Sequence, residues 1–97
     1  MRIIAKRTLR EFWERHPDAK QPLLAWFREV RQADWDTPAK VKARYRTASV
    51  VSGNRMVFNI KGNDYRLVVK INYGYRTVYV RFVGTHAEYD GVNVARA

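Results

Sequence analysis

The stretch Arg55-Met56-Val57-Phe58-Asn59-Ile60-Lys61 decides how this chain is read. In a pleated strand successive side chains point to opposite faces, so Met56, Phe58 and Ile60 share one face, and Arg55, Val57, Asn59 and Lys61 share the other. Residues 65–72 repeat the pattern, with Tyr65, Leu67, Val69 and Ile71 on one side and Arg66, Val68, Lys70 and Asn72 on the other. Residues 77–83 do so again: Val78, Val80 and Phe82 are expected inward, and Thr77, Tyr79, Arg81 and Val83 outward. Laid side by side, the strands present one apolar face and one on which Arg55, Lys61, Arg66, Lys70 and Arg81 gather without a carboxylate. An ordinary solvated sheet face mixes both signs of charge. A surface so one-sided is expected to meet a polyanion.

Around this block the chain supplies a further strand and a helical cover. Residues 48–51 read as a strand, Gly53-Asn54 as a hairpin turn, and Gly62-Asn63-Asp64 and Tyr73-Gly74 as the turns that follow, so the sheet should be largely antiparallel. Residues 2–4 are a candidate short strand. Thr8 and Glu11 stand at capping-box spacing, and Leu9, Phe12, Trp13 and His16 then recur at helical spacing until Pro17 ends the segment. Asp18 and Gln21 offer a second cap ahead of the stripe Leu23, Trp26, Phe27 and Val30. Thr37 before Pro38 caps a short third helix reaching about Tyr45, and Thr85 with Glu88 caps a last helical turn. Everything after Gly91 reads as loose. Helices first and strands afterwards indicate an α+β fold: an N-terminal helical hairpin on the apolar face of a sheet of about four strands, with the cationic face left open. Phe12, Trp13, Trp26 and Phe27 belong to the core on this reading, His16 to a helix end, and Trp35 either to the core or to a partner-binding edge.

Ninety-seven residues are expected to form one domain, 1–97, with a single core. The net charge of +10 is unevenly spread: residues 1–36 hold eight Lys or Arg against six Asp or Glu, and residues 37–97 hold eleven against three. Nucleic acid is the polyanion that such an excess favours. A membrane surface fits less well, because there is no long apolar run and the helical stripes are spent on a core. The chain has no cysteine, which excludes disulfides and thiolate metal sites. Met1-Arg2-Ile3-Ile4 is too short for a signal-peptide core, so a cytoplasmic location is expected.

The segment Thr85-His86-Ala87-Glu88-Tyr89-Asp90 follows the strand that bears Arg81, which brings titratable groups to the rim of the cationic face. RNA is cut without metal when its 2′-hydroxyl attacks the adjacent phosphate, given a base for that proton, an acid for the leaving 5′-oxygen and cations for the phosphorane. Arg66 and Arg81 are the candidate clamp, since a guanidinium fork matches phosphate oxygens. Histidine is the side-chain type that exchanges protons near neutral pH, which points to His86, with Asp90 four residues on to orient it and Tyr89 to stack on a base or pass a proton. Arg55, Asn59, Lys61, Lys70 and Tyr79 are the candidate RNA-binding residues. No cofactor is expected, and no metal, because His86, Glu88 and Asp90 are too few ligands for a two-metal nuclease.

On the runs Val57-Phe58-Asn59-Ile60-Lys61-Gly62-Asn63, Tyr65-Arg66-Leu67-Val68-Val69, Tyr79-Val80-Arg81-Phe82-Val83 and Thr85-His86-Ala87-Glu88-Tyr89-Asp90, the chain resembles the HigB family of toxins within the RelE/ParE superfamily. Phe12-Trp13-Glu14-Arg15-His16-Pro17 and Ala33-Asp34-Trp35-Asp36-Thr37-Pro38 extend the resemblance over nearly the whole length. It implies a RelE-like fold and an mRNA interferase that cleaves messenger on translating ribosomes. It also implies a HigA-type helix-turn-helix antitoxin, with operator DNA bound only through the toxin–antitoxin complex. By position, Arg66, Arg81, His86, Tyr89 and Asp90 match the places where the superfamily keeps catalytic groups. Many relatives carry an acidic residue soon after the Tyr-Asp pair, where this chain has Val92-Asn93. ParE-type members share the architecture but act on DNA gyrase, so a non-catalytic RNA-binding module or a gyrase poison is the alternative.

Overall fold

The computed structural model describes residues Met1–Ala97. Strand β1 (Arg2–Ile4) leads into α1 (Lys6–Arg15), a 3₁₀ turn (Pro17–Ala19), α2 (Lys20–Gln32) and α3 (Pro38–Arg44). Strands β2 (Ser49–Val51), β3 (Arg55–Ile60), β4 (Tyr65–Asn72) and β5 (Thr77–Thr85) follow, then α4 (His86–Asp90) and a 3₁₀ turn at Val94–Arg96. The sheet has five strands in the order β1-β5-β4-β3-β2. It is one strand larger than the expected count because β1 pairs with β5, and that pairing is parallel, which makes the sheet mixed. The other pairs are antiparallel.

The helical hairpin covers the face formed by Met56, Phe58, Leu67, Val69, Ile71 and Val78, all buried with Leu9, Phe12, Leu23, Trp26 and Val30. Phe58 is the hub: the rings of Trp26, Tyr45 and Trp35 lie 5.5, 5.1 and 6.5 Å from it, so Trp35 belongs to the core. Each such side chain contributes about 1.5–3 kcal/mol when removed from water, whereas an exposed ion pair contributes about 0–1 kcal/mol. Apolar packing therefore sets the architecture, and the surface ion pairs follow it.

Two of the expected caps are absent. The first helix starts at Lys6 with Ala5 as an extended N-cap, because the pairing of β1 fixes where the chain turns inward. Thr8 is left inside the helix, and Glu11 pairs with Arg7 at 2.8 Å. Nor does Asp18 cap α2; its carboxylate is taken by Lys61 and Tyr65. Thr37 does cap α3, accepting from the Lys40 N–H. His16 is the C-cap of α1, its ring stacked on Phe12 at 4.5 Å. At the hairpin turn Gly53 and Asn54 have φ of +74° and +60°, the left-handed conformation that glycine and asparagine tolerate best.

The alternation holds through β3 and β4 but breaks inside β5. Val69 pairs with Val80 while Val68 pairs with Phe82, which leaves Arg81 as an extra residue, a β-bulge. From there the phase reverses. Val83 packs against the core opposite Leu67, and Phe82 stands on the outer face opposite Val68, the converse of what continuous alternation predicts.

Candidate functional site

The outer face is a ladder of rungs. Asn59, Arg66 and Gly84 form the rung nearest α4; Ser49, Val57, Val68 and Phe82 form the next; Val51, Arg55, Lys70, Tyr79 and Ile4 form the third.

At the α4 end the local sequence builds a fixed mount. Thr85 closes a capping box, its hydroxyl accepting from the Glu88 N–H at 3.2 Å while the Glu88 carboxylate accepts from the Thr85 N–H at 2.9 Å. The bond from the Thr85 backbone is the largest cause holding the Glu88 carboxyl below its usual range. The His86 N–H donates to the Asp64 carbonyl at 3.2 Å, which ties the start of α4 to the β3–β4 turn. His86 Nδ1 then lies 3.5 Å from Asp90 Oδ2, an electrostatic contact longer than a hydrogen bond. The guanidinium of Arg66 sits 5.8 Å from the Tyr89 ring centroid and donates to the Asn63 carbonyl at 3.2 Å. Four of the five expected catalytic residues, Arg66, His86, Tyr89 and Asp90, therefore collect at this end. Gly84 makes room for Phe82 and Glu88 beside them, since a Cβ there would come within 2.5 Å of Phe82 Cζ and 3.2 Å of Glu88 Cβ.

Arg81 stands apart. Its guanidinium lies 5.6 Å from the Tyr79 ring, so it points away from Arg66, whose register partner is Gly84. The two side chains have different neighbours, the Asn63 carbonyl for Arg66 and the Tyr79 ring for Arg81. Arg81 instead joins Lys70, Asn54, Asn72, Tyr73 and Tyr79 around a cavity of about 390 Å³ at the opposite end of the face.

Three further residues depart from expectation. Lys61 leaves the outer face because it lies beyond the end of β3 with φ +53°, which carries its ammonium to Asp18 at 2.6 Å and Asp64 at 3.5 Å. Asn59 keeps the outer rung but donates to the Thr47 carbonyl at 3.5 Å. Arg55 donates to the Ala97 carbonyl at 2.9 Å, so residues 91–97 return along this face instead of hanging loose. Val57 and Val68 point outward yet are 3% and 0% exposed, and Val92 and Val94 are half-buried. Thr77, expected outward, is also buried, beneath the β1 pairing. The contribution of Phe82 to this face was hidden by the bulge.

No helix is long and apolar enough to cross a membrane. The chain is similar to "mRNA interferase toxin HigB" of Escherichia coli (strain K12), with 28% identity over 92 residues, covering 93% of this chain and 88% of the relative. The "mRNA interferase HigB" of Shigella flexneri matches with the same identity and coverage, and that of Escherichia coli O6:H1 is 25% identical over 92 residues, covering 93% of this chain and 89% of the relative. A family model described as HigB_toxin, RelE-like toxic component of a toxin-antitoxin system, matches residues 19–92. With the mixed sheet, the helical cover and a match over most of its length, the chain belongs to the HigB toxin family, and membership implies an antitoxin as its partner.

Proposed function

We propose that this chain is an mRNA interferase, an endoribonuclease that cuts messenger on translating ribosomes without a metal and is neutralised by a HigA-type antitoxin. The observation that carries the reading is the gathering of one unpaired guanidinium, one imidazole with its carboxylate and one phenol at the α4 end of a cationic face: Arg66 at 5.8 Å from Tyr89, and His86 at 3.5 Å from Asp90. The names of the relatives support the substrate class.

In the proposed reaction the 2′-oxygen bonds to phosphorus as the bond to the 5′-oxygen breaks, leaving a 2′,3′-cyclic phosphate and a 5′-hydroxyl. One proton leaves the 2′-hydroxyl and one arrives at the 5′-oxygen. His86 is the proton-exchanging group, with Asp90 facing its Nδ1 at 3.5 Å. Arg66 meets the charge that builds on the phosphorane. Tyr89, beside Arg66, offers a stacking surface to the base next to the cut. Lys70 and Tyr79 lie further along the path of the strand, whereas Arg55 and Asn59 donate to the Ala97 and Thr47 carbonyls.

A ribosome-dependent cleavage assay with EDTA present tests activity, context and metal together. New 5′ ends inside coding regions, abolished in His86→Ala and Arg66→Ala, are the expected result. Intact messages alongside damaged DNA in induced cells would replace this reading by a gyrase poison.

A further inference from the structure

The cavity of about 390 Å³ lies between the Gly53-Asn54 turn and the turn at residues 73–76, away from α4. Its walls are chemically selective. Lys70 and Arg81 take part in none of the seven ion pairs of the molecule, and no carboxylate lines the cavity. The bulge aims Arg81 here, with its guanidinium 5.6 Å from the Tyr79 ring centroid. Two amides complete the wall. Asn72 Oδ1 accepts from the Tyr75 N–H at 3.0 Å, which fixes the amide and leaves its Nδ2 free to donate. Asn54 is held by the hairpin, its carbonyl accepting from the Ile71 N–H at 2.8 Å, while its side chain makes no hydrogen bond within the chain. Burial raises the Tyr73 hydroxyl above its usual range, so this wall stays neutral.

A stacking surface, two unneutralised cations and two amides, one fixed and one free, in a recess of this size are what one splayed-out nucleotide requires: a face for the base, donors and acceptors for its edge, and cations for the phosphate. We propose that this cavity is a nucleotide subsite, taking one unpaired base of single-stranded RNA against the Tyr79–Arg81 pair, with Lys70 on the adjoining phosphate and the amides of Asn54 and Asn72 reading the base edge. The inference rests on the nuclease reading only for the identity of the strand. Four residue steps along β4 separate Arg66 from Lys70, about 13 Å. The bound nucleotide is therefore not one of the two that flank the scissile bond, and Arg81 selects where RNA is cut rather than cutting it.

The test combines two measurements on the full chain with Tyr79→Ala, Asn72→Ala and the double variant Lys70→Gln/Arg81→Gln, each first shown to melt as the wild type does. Fluorescence anisotropy with short single-stranded RNA, on a His86→Ala background, should show affinity reduced roughly tenfold to hundredfold for Tyr79→Ala. The double variant should show a salt dependence shallower by about 0.7 in log–log slope, for the one phosphate that Lys70 neutralises. Sequencing of cleavage ends on ribosomes should show base preference relaxed at one position in Tyr79→Ala and Asn72→Ala. Wild-type affinity and an unchanged cut pattern in these variants would overturn the subsite while leaving the nuclease intact. Loss of affinity in the variants of a protein that cuts no RNA would overturn the nuclease and keep the subsite. A collapse of turnover in Arg81→Gln at saturating RNA, with affinity intact, would return Arg81 to the chemistry and overturn the assignment.

Discussion

The two ends of the outer face are carried by the same strands and differ in how their polar groups are held. Near α4, His86 is anchored through its backbone to Asp64, faces Asp90 across 3.5 Å, and stands on a helical turn closed by a capping box. Arg66 is braced by the Asn63 carbonyl. At the far end Lys70 and Arg81 have no carboxylate partner and border open space. The difference teaches a division of labour. A group that must meet a developing charge gains from being fixed beforehand, whereas groups that grip a flexible strand gain from keeping their charge unspent until it arrives.

The sharpest way to break the comparison is kinetic. Arg66→Ala should lower the maximal cleavage rate by about a hundredfold to a thousandfold, and Lys70→Ala should act chiefly by raising the RNA concentration at half-maximal rate. Equal effects on both parameters from both variants would erase the distinction. Next in size is Gly84→Ala. The added methyl would meet Phe82 at 2.5 Å and should destabilise by about 1–3 kcal/mol, read from urea unfolding, while disturbing the α4 end more than the cavity. Thr85→Ala removes the N-cap and should cost about 1 kcal/mol; because His86 is the first residue of that helix, cleavage should fall further than stability does. Retained full activity would show that the mount is dispensable.

The smallest effect is a pH dependence. Hydrogen bonds from Lys61 first and Tyr65 second hold the Asp18 carboxyl below its ordinary value of 3.8. Its folded value is depressed, so its contribution is present in full above the ordinary value and is lost as pH falls through the folded one. Denaturation midpoints measured from about pH 5 downward should fall less steeply in Asp18→Asn than in the wild type. Parallel curves would remove the pair as a source of acid sensitivity.

Much of this was readable from the residues, and the failures have physical causes. Alternation identified the inner faces of β3 and β4 because their apolar and polar residues differ in kind. It failed after Val80 because Phe82 and Val83 are both apolar, so either phase satisfies the pattern and only pairing with β4 reveals the extra residue. Lys61 was misplaced by extending the pleat one residue past the strand, into a backbone with φ +53°. Asp18 has the right chemistry for a cap, yet a lysine and a tyrosine distant in sequence compete for it, and local spacing carries no record of such rivals. Thr37 and Thr85 cap as their spacing indicates because no such rival reaches them. The candidate residues were found as a set, but their separation into two ends depended on where side chains point.

Arg81 also acts through arithmetic. A strand assigns sides by odd and even count, and one supernumerary residue between Val80 and Phe82 changes the parity of everything downstream. Were Arg81 instead taken into regular pairing opposite Val68, Gly84 and Thr85 would trade sides, so that α4 would depart toward the helical layer and His86 would lose sight of Arg66. What the bulge decides is which residue numbers fall on the outer face, whatever side chain occupies the extra position.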